Sequence, residues 1–313
     1  MTERYNGLSM LRGVAAFFIV GCHLALAPRT AGSELILHFC NMFVGVFGAI
    51  SGFLLANSLE KNDGTLHFLL GKRATRLLRP YIVWSVLYVG ASYCIGANAG
   101  STARFLGWRL FDIVLRGGAA CHLWYLISLL YISVILISVW QSLRRVRLLW
   151  VLLPFGFLCI FITTLDRSHF FLYELRLAGF VLIGAGLKNL CHYFETVSWR
   201  ILLFIVCVAF LFHVGANGIH PFIKDAIVVV PLLLLCAKEW IPQMPVFITL
   251  DKISFGVFLV HPLITAAIAI LVRKHFNVPF TAEVTLVVWV CAYCLAALST
   301  IVLQRFAVTR RFV

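Results

Sequence analysis

The stretch MLRGVAAFFIVGCHLALAP, residues 10–28, is apolar enough to cross a lipid bilayer, yet it contains Arg12 and His23. A transmembrane helix needs about 20 consecutive apolar residues. An arginine exposed to lipid costs several kcal/mol, so such groups usually face the inside of a helical bundle. The stretch therefore predicts a membrane helix whose two polar side chains point away from lipid.

The rest of the chain has the same apolar character. Of 313 residues, 62% are hydrophobic and only 12% are charged, too few to cover the surface of a soluble domain of this length. No alternating pattern of a lipid-facing β-barrel is present, and backbone groups in lipid need internal partners, so helices are expected throughout. We predict an all-α polytopic membrane protein with about ten spans. They are 8–27, 39–58, 77–95, 122–140, 148–165, 170–190, 201–218, 222–240, 253–272 and 282–304.

The basic residues predict the orientation. The net charge of +14 comes from short Lys and Arg clusters between apolar runs. With the N terminus inside, most of these residues lie on the cytoplasmic side, which favours cytoplasmic N and C termini and does not indicate nucleic-acid binding. The longest connection, 96–121, is too short for a soluble domain. Residues 1–313 are thus expected to form one integral membrane domain.

The ten cysteines do not predict a disulfide framework or a metal site. Most of them fall within apolar runs, where a free cysteine behaves as a small hydrophobic residue. Cys291 and Cys294 form a CxxC pair, but no second pair accompanies it and it lies in a predicted span. We expect no bound metal.

Arg12 and His23 share one face of the first helix. Eleven residues rotate the helix by about 1100°, within about 20° of three full turns, and separate the side chains by about 16 Å along the axis. A snorkelling arginine with a hydrogen-bonded histidine would explain the pair structurally. The alternative is an anion contact and a general base lining one cavity, since a neutral histidine can take a proton from a hydroxyl.

A second basic cluster, GKRATRLLRPYIVW, places Arg73, Arg76 and Arg79 at intervals of three before the third span. This spacing is expected to stack them on one side of the helix, at its cytoplasmic entrance. Orientation by positive charge explains them without any ligand. Stacked guanidinium groups would also grip the phosphates of a ligand that arrives from the cytoplasm.

Four segments, in order, resemble the membrane acyltransferase family 3, the multispan enzymes that O-acylate glycans. LRGVAAFFIVGCH resembles its Arg-x10-His signature at Arg12 and His23, and VGVFGAISGFLL its Ser-Gly-Phe segment at Ser51. RATRLLRPY resembles its Arg-x-x-Arg, best matched by Arg76 and Arg79, although Arg73 and Arg76 also fit; ISFGVFLVHP resembles its late His-Pro segment at His261. A further segment, HLWYLISLL, resembles a His-x-Trp-x-Leu motif at His122 and Trp124. Many members continue that motif with Val-Glu-Glu, whereas this chain reads Ile-Ser-Leu, the pattern of the shorter, single-domain branch.

The resemblance implies an O-acyltransferase of a bacterial cytoplasmic membrane. Acyl-CoA, with acetyl-CoA expected, would approach from the cytoplasm and be held by Arg12, Arg73, Arg76 and Arg79. His23 would act as the catalytic base, or as an acyl relay, toward a hydroxyl of a cell-envelope glycan or lipid-linked sugar.

Other polar residues inside the spans are candidates for acceptor contact or for lining the pore: Ser51, His122, Trp124, Glu174, Arg176 and His261. Glu174 and Arg176 are two residues apart, so they face different ways and need partners on other helices, as acceptor contacts or structural ion pairs. His261 is expected to be structural or pore-lining more than catalytic, and His122 to contact the acceptor or pack at the interface. His213 and Asp225 carry no motif and are expected to be structural.

A secondary transporter or translocator of an anionic or sugar substrate is the alternative, because buried Arg and His also mark substrate paths. Transporters often show repeated halves, which this sequence lacks. The basic cluster and the Arg12–His23 spacing favour the enzyme.

Overall fold

The protein is described by a computed structural model over residues 5–24, 31–61, 66–94, 122–146, 149–165, 172–216, 218–238, 240–242, 244–276, 281–306, 309 and 312–313. Ten α-helices occur in these ranges, together with short 3-10 turns. The helices are α1 (Asn6–Cys22), α2 (Ala31–Lys61), α3 (Leu66–Cys94), α4 (Trp124–Arg145), α5 (Leu152–Leu165), α6 (Leu172–Leu190), α7 (Trp199–Gly215), α8 (Pro221–Ala237), α9 (Pro245–Phe276) and α10 (Ala282–Arg305).

Each helix overlaps one predicted span, and the all-helical architecture is confirmed. The helices α2, α3 and α9, with 31, 29 and 32 residues, run well past the predicted edges. Hydropathy detects only the apolar part of such a helix, whereas its backbone hydrogen bonds continue through flanking polar residues. The predicted connection 96–121 lies outside the described residues.

Five helical segments of the described residues are long and apolar enough to cross a membrane: Gly32–Lys61, Trp124–Arg145, Leu172–Phe194, Pro245–Ile268 and Ala282–Arg305. Three shorter apolar helices accompany them. The chain therefore has the character of a multi-pass membrane protein. The number of ten spans and the cytoplasmic placement of both termini stay predictions.

Helix α1 lies inside the bundle, where it packs against α2, α8 and α9. Ala15, Ile19 and Val20 are fully buried. Glycine permits the closest approach, because a Cβ at Gly7 would lie 2.3 Å from the carbonyl oxygen of Cys236 on α8. The first apolar stretch thus forms a central helix, as expected from the polar residues that it carries.

Helices α2 and α6 form the most extensive helix pair, and their backbones meet at glycines. A Cβ at Gly52 would lie 1.9 Å from the carbonyl oxygen of Val181, and one at Gly184 would lie 1.9 Å from that of Ala49. Small residues permit such close approach between membrane helices, where dispersion contacts replace the hydrophobic effect. This contact fixes α2, which carries Ser51, against α6, which carries Arg176.

The cysteines that can be assigned within the described ranges are free. Cys40, Cys159 and Cys236 are buried in the apolar interior, which confirms their role as small hydrophobic residues. Cys291 and Cys294 lie on the exposed face of α10. In the described part of the chain, no group of three or more His, Cys, Asp or Glu could hold a metal ion.

Candidate functional site

Three histidines from distant parts of the chain form one cluster. His23 follows the last residue of α1, His122 lies two residues before α4, and His261 lies within α9. Their ring centroids are 5.1 Å apart for His23 and His261, 5.5 Å for His122 and His261, and 6.4 Å for His23 and His122. Two of the predicted accessory residues are thus brought next to the predicted base.

Burial differs among the three rings. His261 is 0% and His122 is 1% exposed, whereas His23 is partly exposed. Nδ1 of His261 lies 3.1 Å from the carbonyl oxygen of Val257, which can only accept, so Nδ1 carries the proton. Nε2 of the neutral ring is then a lone-pair acceptor, and it has no hydrogen-bond partner within the described residues. The cluster therefore contains an imidazole able to accept a proton or a hydrogen bond.

His23 opens into a cavity of about 340 Å³, here called the histidine cavity. His122, Trp124 and Arg176 also line it, so four of the predicted site residues meet there. The rings of Trp124 and Tyr173 lie 5.8 Å apart in its wall. Ser51, Glu174 and His261 are not part of this lining, although His261 contacts it through the two other histidines.

A second cavity of about 580 Å³, the arginine cavity, lies beside the first turns of α1 and the middle of α3. Arg12, Ser51, Arg73 and Arg76 line it. Lys72 and Lys252 add positive charge, and Asp251 is the acidic residue in the lining. The predicted phosphate-binding residues thus converge, with one exception.

Arg79 is the exception: it is exposed and lies outside the lining of the arginine cavity. A helix turns by about 100° per residue, so six residues displace Arg79 by about 120° from Arg73. Arg73 instead faces α4, where its Nε donates to Oγ of Ser133 at 3.2 Å. The expectation that all three arginines stack on one side is therefore wrong for Arg79.

Asp251 is a site residue that the sequence analysis missed. Its carboxylate forms an ion pair with the guanidinium of Arg12, joining α9 to α1. The side chains of Arg12 and Asp251 are 23% and 7% exposed. Asp251 lies just before the late His-Pro segment, but nothing in the local sequence indicates that it pairs with Arg12, 239 positions away. Arg73 differs from Arg12, because its Nη2 is buried with no hydrogen-bond partner among the described residues.

The two cavities adjoin but are distinct. Tyr125 and Phe258 line both of them, and their rings lie 5.3 Å apart. Arg12 faces one cavity and His23 the other. The expectation of a single cavity shared by Arg12 and His23 is therefore corrected, because the two residues line different cavities that share Tyr125 and Phe258 in their walls.

Arg176 has the partner that its burial requires. Its Nη2 donates to Oδ2 of Asp225 at 3.0 Å, and Oδ1 of Asp225 lies 2.9 Å from Nε2 of His213. The guanidinium also lies 3.7 Å over the ring of Phe222. The prediction of a partner on another helix is confirmed for Arg176. Asp225 and His213, which were expected to be structural, hold the Arg176 side chain in place. For Glu174, Oε2 is buried without a hydrogen-bond partner in the described residues.

A third cavity, of about 1020 Å³, is larger than the other two and contains none of the predicted site residues. Its two lysines are engaged within the protein: Lys188 pairs with Glu60 at 2.7 Å, and Lys238 donates to the carbonyl of Glu195 at 3.0 Å. Volume alone therefore does not identify the site. The two smaller cavities contain the clustered arginines and histidines.

Comparison with known proteins adds one finding. The family model described as an acyltransferase domain, of the acyltransferase 3 type, matches residues 5–305. No curated protein and no solved structure matches the chain.

Proposed function

The chain belongs to the acyltransferase 3 family, and on that premise we propose that it transfers an acyl group from cytoplasmic acyl-CoA to a hydroxyl at the far side of a membrane. The donor proposed is acetyl-CoA. The acceptor is a hydroxyl of a cell-envelope glycan or a lipid-linked sugar, and the membrane is the bacterial cytoplasmic membrane.

One observation carries the proposal: a cavity rich in arginine and a cavity rich in histidine adjoin along the length of α1. Arg12 lies on this helix and His23 directly follows its end, which separates them by about 16 Å along the helix axis. An extended thiol arm on a phosphate-bearing carrier fits such a separation, with its anionic end in one cavity and its thioester near the other. A ligand that lacks either the phosphates or the long arm would occupy only one of the two cavities.

The arginine cavity supplies the charge that a phosphate donor needs. We assign the phosphate contacts to Arg73 and Arg76, because guanidinium groups bind phosphate through paired hydrogen bonds. The charge of Arg12 is already shared with Asp251, so this pair holds α1 against α9 and offers the remaining N–H groups to the donor. Arg79, exposed outside the lining, is assigned no direct contact.

The histidine cavity supplies the base. In the proposed step, His23 takes the proton of the acceptor hydroxyl while the acceptor oxygen attacks the thioester carbon. The carbon–sulfur bond then breaks, and His23 passes the proton to the departing CoA thiolate. Holding donor and acceptor together in one geometry contributes much of the rate gain in such reactions. His122 and His261 are proposed to orient His23 and to conduct its proton.

Trp124 and Tyr173 are proposed to contact the acceptor, because a flat aromatic wall packs against the apolar face of a sugar ring. Arg176, held by Asp225, presents its other N–H groups to the same cavity. Ser51 and Glu174 lie outside this cavity lining and are proposed to support the bundle around it.

The test uses purified protein in lipid nanodiscs, acetyl-CoA labelled in the acetyl group, and envelope glycan as acceptor. Label in the glycan, lost in His23→Ala while CoA binding persists, supports the proposal. Binding of CoA without transfer to any glycan fraction contradicts the acceptor assignment. Absence of CoA binding contradicts the donor assignment and favours a transporter.

A further inference from the structure

The wall between the two cavities is built from aromatic rings, and Phe258 lies at its centre. Toward the arginine cavity, its ring stacks on Phe47 at 6.1 Å and 19°. Toward the histidine cavity, it lies 5.3 Å from the ring of His122. Tyr125 completes the wall and is 3% exposed, while Phe258 is 4% exposed. An acyl group carried from one cavity to the other therefore has to pass Phe258 and Tyr125.

We propose that Phe258, backed by Tyr125, determines which acyl groups the protein transfers. The inference rests on the proposed function, since it concerns the passage of a thioester from the arginine cavity to His23. A short acyl group needs only a small displacement of the ring, whereas each further methylene must find room between Phe258, Tyr125 and His122. An apolar pocket that lacks room for extra methylenes discriminates against longer chains.

The same ring governs a side reaction. Transfer breaks the carbon–sulfur bond of the thioester and forms a carbon–oxygen bond to the acceptor, whose proton goes to the thiolate. If water takes the place of the acceptor, the products are the free carboxylate and CoA. While the Phe258 ring fills the wall, water in the arginine cavity cannot reach a thioester held beside the histidines.

The hydrogen-bond ladder of α9 is interrupted at Phe258. Pro262 has no N–H, so the carbonyl of Phe258, four residues earlier, lacks its helical donor. Helices bend most readily where a proline interrupts the hydrogen-bond ladder. Tyr125, by contrast, lies in the first turn of α4, where its backbone N–H donates to the carbonyl of His122 at 3.1 Å. The proposal therefore assigns the displacement to Phe258, on the interrupted helix, rather than to Tyr125.

The experiment compares acetyl-CoA, butanoyl-CoA and octanoyl-CoA in nanodiscs, with and without envelope glycan, and follows released thiol and acylated glycan. Phe258→Ala is expected to raise the rate with octanoyl-CoA relative to acetyl-CoA roughly tenfold or more. It should also raise thiol release in the absence of glycan. Phe47→Ala is the matched control, because Phe47 is a buried ring that lines only the arginine cavity. It is expected to leave the chain-length ratio at the parent value.

The outcomes separate the inference from the proposed function. If the parent protein transfers acetyl groups and Phe258→Ala keeps the same chain-length ratio as Phe47→Ala, the inference is overturned. If the parent neither binds acyl-CoA nor releases thiol, the proposed function itself fails. Should Phe258→Ala not fold, Phe258→Leu decides, because the smaller side chain must shift the ratio in the same direction. Binding titrations of the parent and the variant with octanoyl-CoA and acetyl-CoA compare the chain-length preference without turnover.

Discussion

The arginine cavity and the histidine cavity differ in how their charged groups are held. In the arginine cavity, guanidinium groups outnumber carboxylates, and Nη2 of Arg73 is buried without a hydrogen-bond partner among the described residues. In the histidine cavity, the cation Arg176 is paired with Asp225, and the lining also carries the imidazoles of His23 and His122. A site with uncompensated positive charge is suited to bind an anion. A site with neutral imidazoles is suited to move a proton.

The sharpest way to break this comparison is His23→Ala. General-base catalysis by a positioned side chain contributes about 10²–10⁴-fold, so the transfer rate should fall by that factor. Affinity for CoA should stay within about twofold, because the arginine cavity is untouched. Labelled acetyl transfer and CoA titration give the two values.

His192→Ala is the control for that substitution. His192 is exposed and lies in neither cavity. Its removal should leave transfer unchanged. Equal losses in the two variants would mean that histidine chemistry in the cluster is not involved.

The next effect concerns stability. Asp225→Asn leaves Arg176 buried and uncompensated, and breaking a buried ion pair costs about 3–5 kcal/mol. The midpoint of thermal unfolding in detergent should fall clearly. The half-buried pair of Lys188 and Glu60 is the matched comparison, because partly solvated pairs contribute about 0–1 kcal/mol. Equal shifts for Asp225→Asn and Glu60→Gln would contradict the account of Arg176.

A third substitution, Gly52→Ala, tests the close packing of α2 against α6. The added methyl group of Gly52→Ala would lie 1.9 Å from a carbonyl oxygen of α6, so α2 and α6 must separate. Overpacking of this kind costs about 1–3 kcal/mol. Gly90→Ala provides the control, because a Cβ at Gly90 has nothing within 4 Å. Unfolding midpoints that do not distinguish the two variants would remove the glycine contact from the account.

The smallest expected effect separates two neighbouring arginines. Arg76→Ala should weaken CoA binding by about 1–3 kcal/mol, the value of a hydrogen bond to a charged group. Arg79→Ala should change it by less than about twofold, since Arg79 lies outside the cavity. Calorimetric titration of CoA at low salt measures both. If both substitutions weakened CoA binding equally, the basic cluster would be explained by membrane orientation alone.

Sequence reasoning succeeded where a pattern is local. The apolar runs predicted a helix at the place of each described α-helix, and the polar residues of the first run predicted that its helix lies inside the bundle. The motifs also identified His122 and His261, which the fold brings to His23.

Sequence reasoning failed where the answer depends on a distant helix. The ion pair of Arg12 with Asp251 joins residues 239 positions apart, and no local period encodes it. The wall of Tyr125 and Phe258 is likewise a product of packing between α4 and α9. Arg79 was misplaced because an interval of three residues drifts around a helix by about 60° at each step.

The most direct test of the central claim is a paired measurement of CoA affinity and single-turnover transfer rate on Arg76→Ala and His23→Ala. The two-cavity account predicts that Arg76→Ala weakens affinity while the rate at saturating acetyl-CoA stays near the parent value. It predicts that His23→Ala lowers the rate by about 10²–10⁴-fold while affinity stays near the parent value. If both substitutions lower the same quantity by similar factors, the division of work between the two cavities is contradicted.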